Sequence, residues 1–352
     1  MDTASSATYI ARSEARRIKP VRDVGELDEL DAVLGRKLPA FRISASADTS
    51  IGGGGGLVAE PLSSRDPRHD NAPRLFQLCR FLNTRVLNMI EPEAAASIVG
   101  NYRVELHDSY SYLPGRRDYS NVFSFGRALD APERDVALLP DPYHMDNFGT
   151  GHLVGTASAD TVRWQDKDPI LFFAGTTTGD RNPALNARLR ACAWASGNID
   201  KARMHITNVA QMSIDDIVRR YGDPVTRAML HEPFSIEDHF RYRYVANIVG
   251  NTACWSRVPM IMSSGSVMVH VRHADATWYY PLLREGRHYV GADSVEGPDL
   301  TRAVSFCRTY DKQCRAMVTE ANALSRELFS SSAIAATYAA ELFQECGYLY
   351  GR

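Results

Sequence analysis

Three groups of residues have the types and spacing to do chemistry. Arg257 falls in the first turn of the helix predicted near Trp255 to Met262. A cation there opposes the helix dipole unless an anion is present, and a diphosphate would resolve the conflict. A surface carboxylate bridged by an exposed arginine would do so too. The second group is the strand–turn–helix Phe172–Gly179 (Phe-Phe-Ala-Gly-Thr-Thr-Thr-Gly), followed by Arg181 and Arg188. Gly175, Thr176 and Thr177 form a small-residue turn that exposes N–H groups and hydroxyls to a ligand. An ordinary strand–helix turn accounts for it equally well. The third is Asp108, which ends the alternating segment Tyr102–His107 and has His107 and Tyr110 beside it. It can serve as a base or simply cap a turn.

Other motifs are weaker. Asp166-Lys-Asp168 has the form of a metal–nucleotide-sugar motif, but it precedes an apolar strand where such a motif should end one, so a solvated turn is expected. Gly149–Gly155 narrowly misses a dinucleotide fingerprint and follows no clear strand. His270 and His273 lack the third ligand a metal site needs, so no metal is expected. The run Gly52–Gly56 reads as a flexible loop, because no Lys-Ser/Thr and no helix follow it. A Gly-x-Ser-x-Gly hydrolase elbow is missing.

The elements that must position these groups follow from periodicity. Leu75, Leu78, Cys79, Leu82, Val86 and Leu87 predict a helix within 72–90. Short strands are expected at 102–106, 121–125 and 136–139, then a polar, aromatic loop over 141–152. The second half alternates strand and helix: strands at 170–174, 204–208, 242–246, 266–271 and 288–290, and helices near 183–196, after the capping-box variant Ser213–Asp216, at 255–262, at 277–283 and from 299 onward. Repeated strand–helix–strand units imply a parallel sheet whose ligands bind beyond the carboxyl ends of the strands.

The chain has 352 residues, suggesting two domains. Forty Lys+Arg against 42 Asp+Glu leave a formal charge of −2, which gives no general grip on nucleic acid or acidic membrane. A run of 18 apolar residues is missing, so no membrane-spanning helix is expected. The N-terminal Met1–Ser6 lacks the pattern of a secretory signal. Six cysteines without a Cys-x-x-Cys suggest reduced thiols in a reducing compartment.

The order of segments resembles one family. Phe123-Ser-Phe, Phe172-Phe-Ala-Gly-Thr, Phe240-Arg-Tyr-Arg-Tyr, Ala253-Cys-Trp-Ser-Arg, Ser264-Gly-Ser-Val and Trp278-Tyr-Tyr-Pro are similar, in order and spacing, to glycosyltransferase family 90 over residues 100–345. The resemblance implies an α/β GT-B architecture of two Rossmann-like domains facing a cleft, with metal-independent inverting transfer from a UDP-sugar and no cofactor. Xylose and glucose lead as the sugar. It implies Asp108 as general base and Arg257 facing the diphosphate, with Thr252, Ala253, Cys254, Trp255 and Ser256 around the nucleotide. Gly175, Thr176 and Thr177 complete the donor side, where Arg181 or Arg188 takes over from family arginines this chain has lost. Tyr110, His144 and Asp146 are expected on the side of the glycan or glycoconjugate acceptor. The expected division is an irregular segment 1–60, an acceptor-side domain 61–165, a donor-binding domain 166–325 and a C-terminal helix, 326–352, returning to the first domain. A cytoplasmic enzyme of bacterial or viral type fits best. A non-catalytic sugar-nucleotide or glycan-binding protein would keep Arg257 but turn nothing over. A nucleotide-dependent oxidoreductase would need the dinucleotide fingerprint that is missing here.

Overall fold

The computed structural model describes residues 3–23, 26–27, 38–45, 56–62, 72–106, 121–128, 136–145 and 147–350. The chain forms two units, Met1–Asn147 with Ala274–Leu282 and Ser331–Arg352, and Phe148–His273 with Leu283–Ser330. The division therefore falls near residue 147 where 165 was expected. Each unit is α/β with its own five-stranded sheet.

In the first unit the order is β2-β1-β3-β4-β6, formed by β1 (Ala40–Ala45), β2 (Leu57–Leu62), β3 (Gly100–Glu105), β4 (Val122–Ser124) and β6 (Val136–Leu138). The strands β3, β4 and β6 are parallel, while β1 runs antiparallel to both β2 and β3. The two-residue strands β5 (Arg127–Ala128) and β11 (Asp275–Ala276) pair separately. Helices α1 (Thr3–Ala15), α2 (Ala72–Phe81), α3 (Pro92–Ile98) and α4 (Pro142–Met145) belong here, together with the last helix, α13 (Ala333–Tyr350). Phe41, Tyr102, Phe123 and Phe343 form an aromatic core, with Phe41–Tyr102 centroids 5.2 Å apart and Phe123–Phe343 5.4 Å.

Three expectations are corrected here. Residues 1–60 are not irregular throughout. Ala7, Ala11 and Ala15 form a buried stripe on α1, which packs on α13, and Phe41 and Ile43 bury one face of β1. Alanine carries little hydrophobic signal, so the stripe was hard to see in the sequence. The loop expected at 141–152 instead holds α4 and the start of α5 (Asn147–Ser158). Asp141 caps α4, since its Oδ1 accepts from Tyr143 N at 3.0 Å and its carbonyl from His144 N, and Pro142 suits the first helical position. The helix expected at 277–283 is only a 3₁₀ turn, Tyr280–Leu282, because Pro281 disfavours helical geometry at the residue before it.

The second unit has the order β12-β10-β9-β7-β8, all parallel: β7 (Asp168–Thr176), β8 (Ala202–Asn208), β9 (Tyr242–Asn247), β10 (Val267–Val271) and β12 (Val290–Ala292). The run Ile170–Ala174 is buried on both faces, as a central parallel strand requires. Leu171 and Phe173 enter the main core with α6 (Ala187–Ser196), α7 (Ile214–Tyr221), α8 (Asp223–Met229), α11 (Gly297–Thr309) and α12 (Asp311–Phe329). Ile170, Phe172 and Ala174 face the other way, against Tyr242 and Phe234. The four-residue α9 (Ile236–His239) and α10 (Arg257–Ser263) complete the unit. Ser213 and Asp216 form the expected capping box that opens α7. No helix among the described residues is long and apolar enough to cross a membrane.

Candidate donor-binding site

The strand order fixes where a ligand belongs. From β7 the chain crosses to β8 on one side and later to β9 on the other, so the topological switch point lies between the carboxyl ends of β7 and β9. Thr176 ends β7 and Asn247 ends β9. The two loops leaving this point carry the strongest sequence candidates.

Arg257 is the first residue of α10 and is half-buried. Its Nη2 donates to the carbonyl of Ala174 at 2.8 Å, and its Cζ lies 4.5 Å from the centroid of the Phe173 ring. Its Nη1 is buried and has no hydrogen-bond partner among the described residues. Burial lowers its pKa to about 10, an effect that Cys254 opposes and the positive charge of Arg188 reinforces. At neutral pH it is still a cation, and among the described residues it has no carboxylate partner. Gly175 makes room for it, because a Cβ there would stand 2.9 Å from the Phe173 ring and 3.0 Å from Arg257 Nη2.

Arg188, in the first turn of α6, is buried as well. Its donors go to the carbonyls of Thr176, Ile248 and Val249, to Thr178 Oγ1 at 2.6 Å and to Cys254 Sγ at 3.4 Å. It therefore has little left to offer a ligand directly, although its charge is not neutralised by any described carboxylate. Arg181 is exposed in the preceding loop.

The other residues expected on the donor side divide by what they touch. Thr177 is fully buried and exchanges hydrogen bonds with the backbone of Ala210 at 2.6 and 2.7 Å, so it braces the turn. Thr176 presents its carbonyl to Arg188. Ala253 and Trp255 are buried, Cys254 Sγ donates to Ile248 O at 3.3 Å, and Ser256 occupies the N-cap of α10 without using its side chain there. Thr252 Oγ1 is buried without a partner among the described residues.

Asn247 was not singled out from sequence. It is fully buried and donates through Nδ2 to His270 Nδ1 at 2.9 Å, while its Oδ1 has no partner among the described residues. A polar residue closing an apolar strand was the available signal. His270 and His273, with centroids 5.2 Å apart, are held neutral by burial, their pKa values lowered to about 3 and about 4.

On the first unit His144 is buried in α4, its Nδ1 2.6 Å from Asp141 Oδ2, with Trp278 and Tyr279 against its ring. Asp108, Tyr110 and Asp146 lie outside the described residues. Asp166 and Asp168 sit at the amino end of β7, roughly 25 Å of strand away from the switch point. Both aspartates are exposed, as a solvated turn requires, whereas Lys167 between them is not. It is buried on Asp160 at 2.6 Å, and that contact was missed because it depends on packing. Gly149–Gly155 lies within α5 rather than in a strand–helix turn.

The site is thus the strand-end switch point of the second sheet, with a half-buried cation beside it. The model of glycosyl transferase family 90 matches residues 153–350, more than half of the chain and nearly all of the second unit. The chain belongs to glycosyl transferase family 90. Two relatives are similar over less than half of this chain. The uncharacterised protein 035R of Invertebrate iridescent virus 3 is 27% identical over 163 residues, 45% of this chain and 15% of the viral one. An O-glucosyltransferase rumi homolog of Anopheles gambiae is 29% identical over 162 residues, 46% of this chain and 36% of that protein. The chain therefore matches only a minor part of either. Two crystal structures of Anabaena Alr3699/HepE, one with UDP-glucose and one with UDP and glucose, are similar at TM-scores of 0.37 and 0.35 and 12% identity. They cover 49% and 53% of this chain, and 48% and 50% of theirs. The family 90 match contains every one of the resembling segments except Phe123-Ser-Phe, which lies before it.

Proposed function

We propose that this family 90 chain is an inverting, metal-independent glycosyltransferase that moves xylose or glucose from a UDP-sugar to a hydroxyl of a glycan or glycoconjugate. One observation supports the donor side above all others. At the switch point the half-buried Arg257 keeps one buried nitrogen unpartnered and has no described carboxylate, so the crevice offers uncompensated positive charge to an anion. Thr252 Oγ1 and Asn247 Oδ1 add a hydroxyl and an acceptor on the same connection.

In this reading the acceptor oxygen attacks the anomeric carbon from the face opposite UDP and loses its proton to the Asp108 carboxylate. The bond from the anomeric carbon to the diphosphate oxygen breaks, and UDP leaves with the electron pair. Arg257 offsets the charge growing on that oxygen. We also place the protein in the cytoplasm. The six cysteines are free thiols, and a tagged chain found in the secretory pathway would contradict this.

A screen of UDP-sugars against candidate glycan acceptors, monitoring UDP release with EDTA present, tests the reading. UDP release with UDP-xylose or UDP-glucose that needs an acceptor is expected. UDP binding without turnover would make the chain a sugar-nucleotide-binding protein. Activity that requires an added divalent metal would overturn the metal-independent mechanism.

A further inference from the structure

The planar guanidinium of Arg188 ties together the two loops that leave the switch point. Nη1 donates to Thr176 O at 3.1 Å and Thr178 Oγ1 at 2.6 Å, on the loop after β7. Nε donates to Val249 O at 3.1 Å, and Nη2 to Ile248 O at 3.2 Å and Cys254 Sγ at 3.4 Å, on the loop after β9. Loop residues more than sixty positions apart in the chain are thereby held by one side chain.

Gly250 shows how closely the second loop approaches. A Cβ there would stand 2.7 Å from Arg188 Nη2 and 2.8 Å from Thr178 Oγ1. A Cβ on Gly179, at φ +124°, would stand 3.2 Å from the Gly250 carbonyl oxygen, and the Gly179 N–H donates to Asn251 Oδ1 at 3.0 Å. The loops meet only because these positions carry no side chain.

We propose that Arg188 is a positioning residue: it holds the loops after β7 and β9 in one arrangement so that Arg257, Thr252 and the loop N–H groups meet a nucleoside diphosphate, without itself touching the ligand. The ligand's identity rests on the donor reading above; the clamp does not. A lysine keeps the charge but lacks the fork, so it cannot bridge both loops. Ordering the loops before binding spares that cost at the moment of binding.

Three variants test this: Arg188→Lys, Arg188→Gln and Gly250→Ala. UDP affinity is measured by calorimetry, and hydrogen exchange of residues 176–179 and 248–254 in the free protein. All three are expected to weaken UDP by at least about tenfold and to speed exchange in both loops, with no rescue by lysine. Gly250→Ala removes no charge and no donor, and stands in if either arginine variant fails to fold. Arg188→Lys binding UDP within about twofold of wild type would assign charge, not the fork, to Arg188 and overturn the proposal. Unchanged loop exchange in Gly250→Ala would overturn it too. Wild-type protein that ignores UDP would defeat the donor reading, while the exchange data would still decide the clamp.

Discussion

The guanidinium of Arg257 lies over the ring of Phe173, its Cζ 4.5 Å from the ring centroid. Ring and carbonyl orient the cation without neutralising it, which an aspartate in the same place would do. Phe173 also fills the core of the second unit. Phe173→Leu should therefore lower the melting temperature, by about 1–2 kcal/mol of stability, and weaken UDP several-fold through a less fixed Arg257. Calorimetry and thermal melts read the two effects separately. Loss of stability with wild-type UDP affinity would mean that the ring serves packing only.

Asp108 is expected to act on the acceptor alone. Asp108→Asn keeps the size of the side chain but cannot take a proton, so transfer should fall by on the order of 10²-fold or more. UDP affinity should stay as in wild type. A variant that transfers at near wild-type rate would take the role from Asp108 and make Asp146 the next candidate.

Acid should destabilise the second unit through its buried histidines. Burial holds His239 at about 4, with the Arg257 charge adding to the effect, His270 at about 3 and His273 at about 4. Unfolded histidines titrate near 6.5, so between that value and about 4 the unfolded chain binds protons the folded one refuses. Their contribution is present above pH 6.5 and is lost as pH falls through this window. Melting temperature should drop from pH 7 to pH 5, and less steeply in His239→Gln. A flat profile, or an unchanged slope in the variant, would refute this.

Lys167 and Asp160 provide a control remote from the crevice. Their side chains are 0% and 2% exposed and 2.6 Å apart, and Asp160 Oδ2 also accepts from Gly265 N at 2.9 Å. Asp160→Asn leaves a buried ammonium without a counter-charge and should cost about 3–5 kcal/mol. Folded Asp160→Asn protein should bind UDP as wild type does. A weakened affinity would tie this end of β7 to the site.

Local patterns carried much of the fold. The buried run Ile170–Ala174 announced β7, the Ser213–Asp216 capping box announced α7, and the position of Arg257 at a helix start followed from local signals. What depended on distant packing stayed hidden. The role of Arg188 depends on Ile248 and Val249, which no window around residue 188 contains, and Asn247 gains meaning only once β7 and β9 are adjacent. The alanine stripe of α1 was missed for a related reason, since small residues pack closely while contributing little hydrophobicity. Asp108, Tyr110 and Asp146 rest on the family resemblance alone.

Titrating UDP into the wild-type protein and into Arg257→Ala is the most direct test of the central claim, that the crevice between β7 and β9 binds the donor diphosphate through an uncompensated arginine. Calorimetry should give one site per chain in wild type, weakened roughly 10- to 100-fold in the variant, as expected for losing charged hydrogen bonds. The apo melting temperature of Arg257→Ala should not fall appreciably, because the half-buried cation has an unpartnered nitrogen. Equal UDP affinity in the two proteins, or none in wild type, would contradict the account.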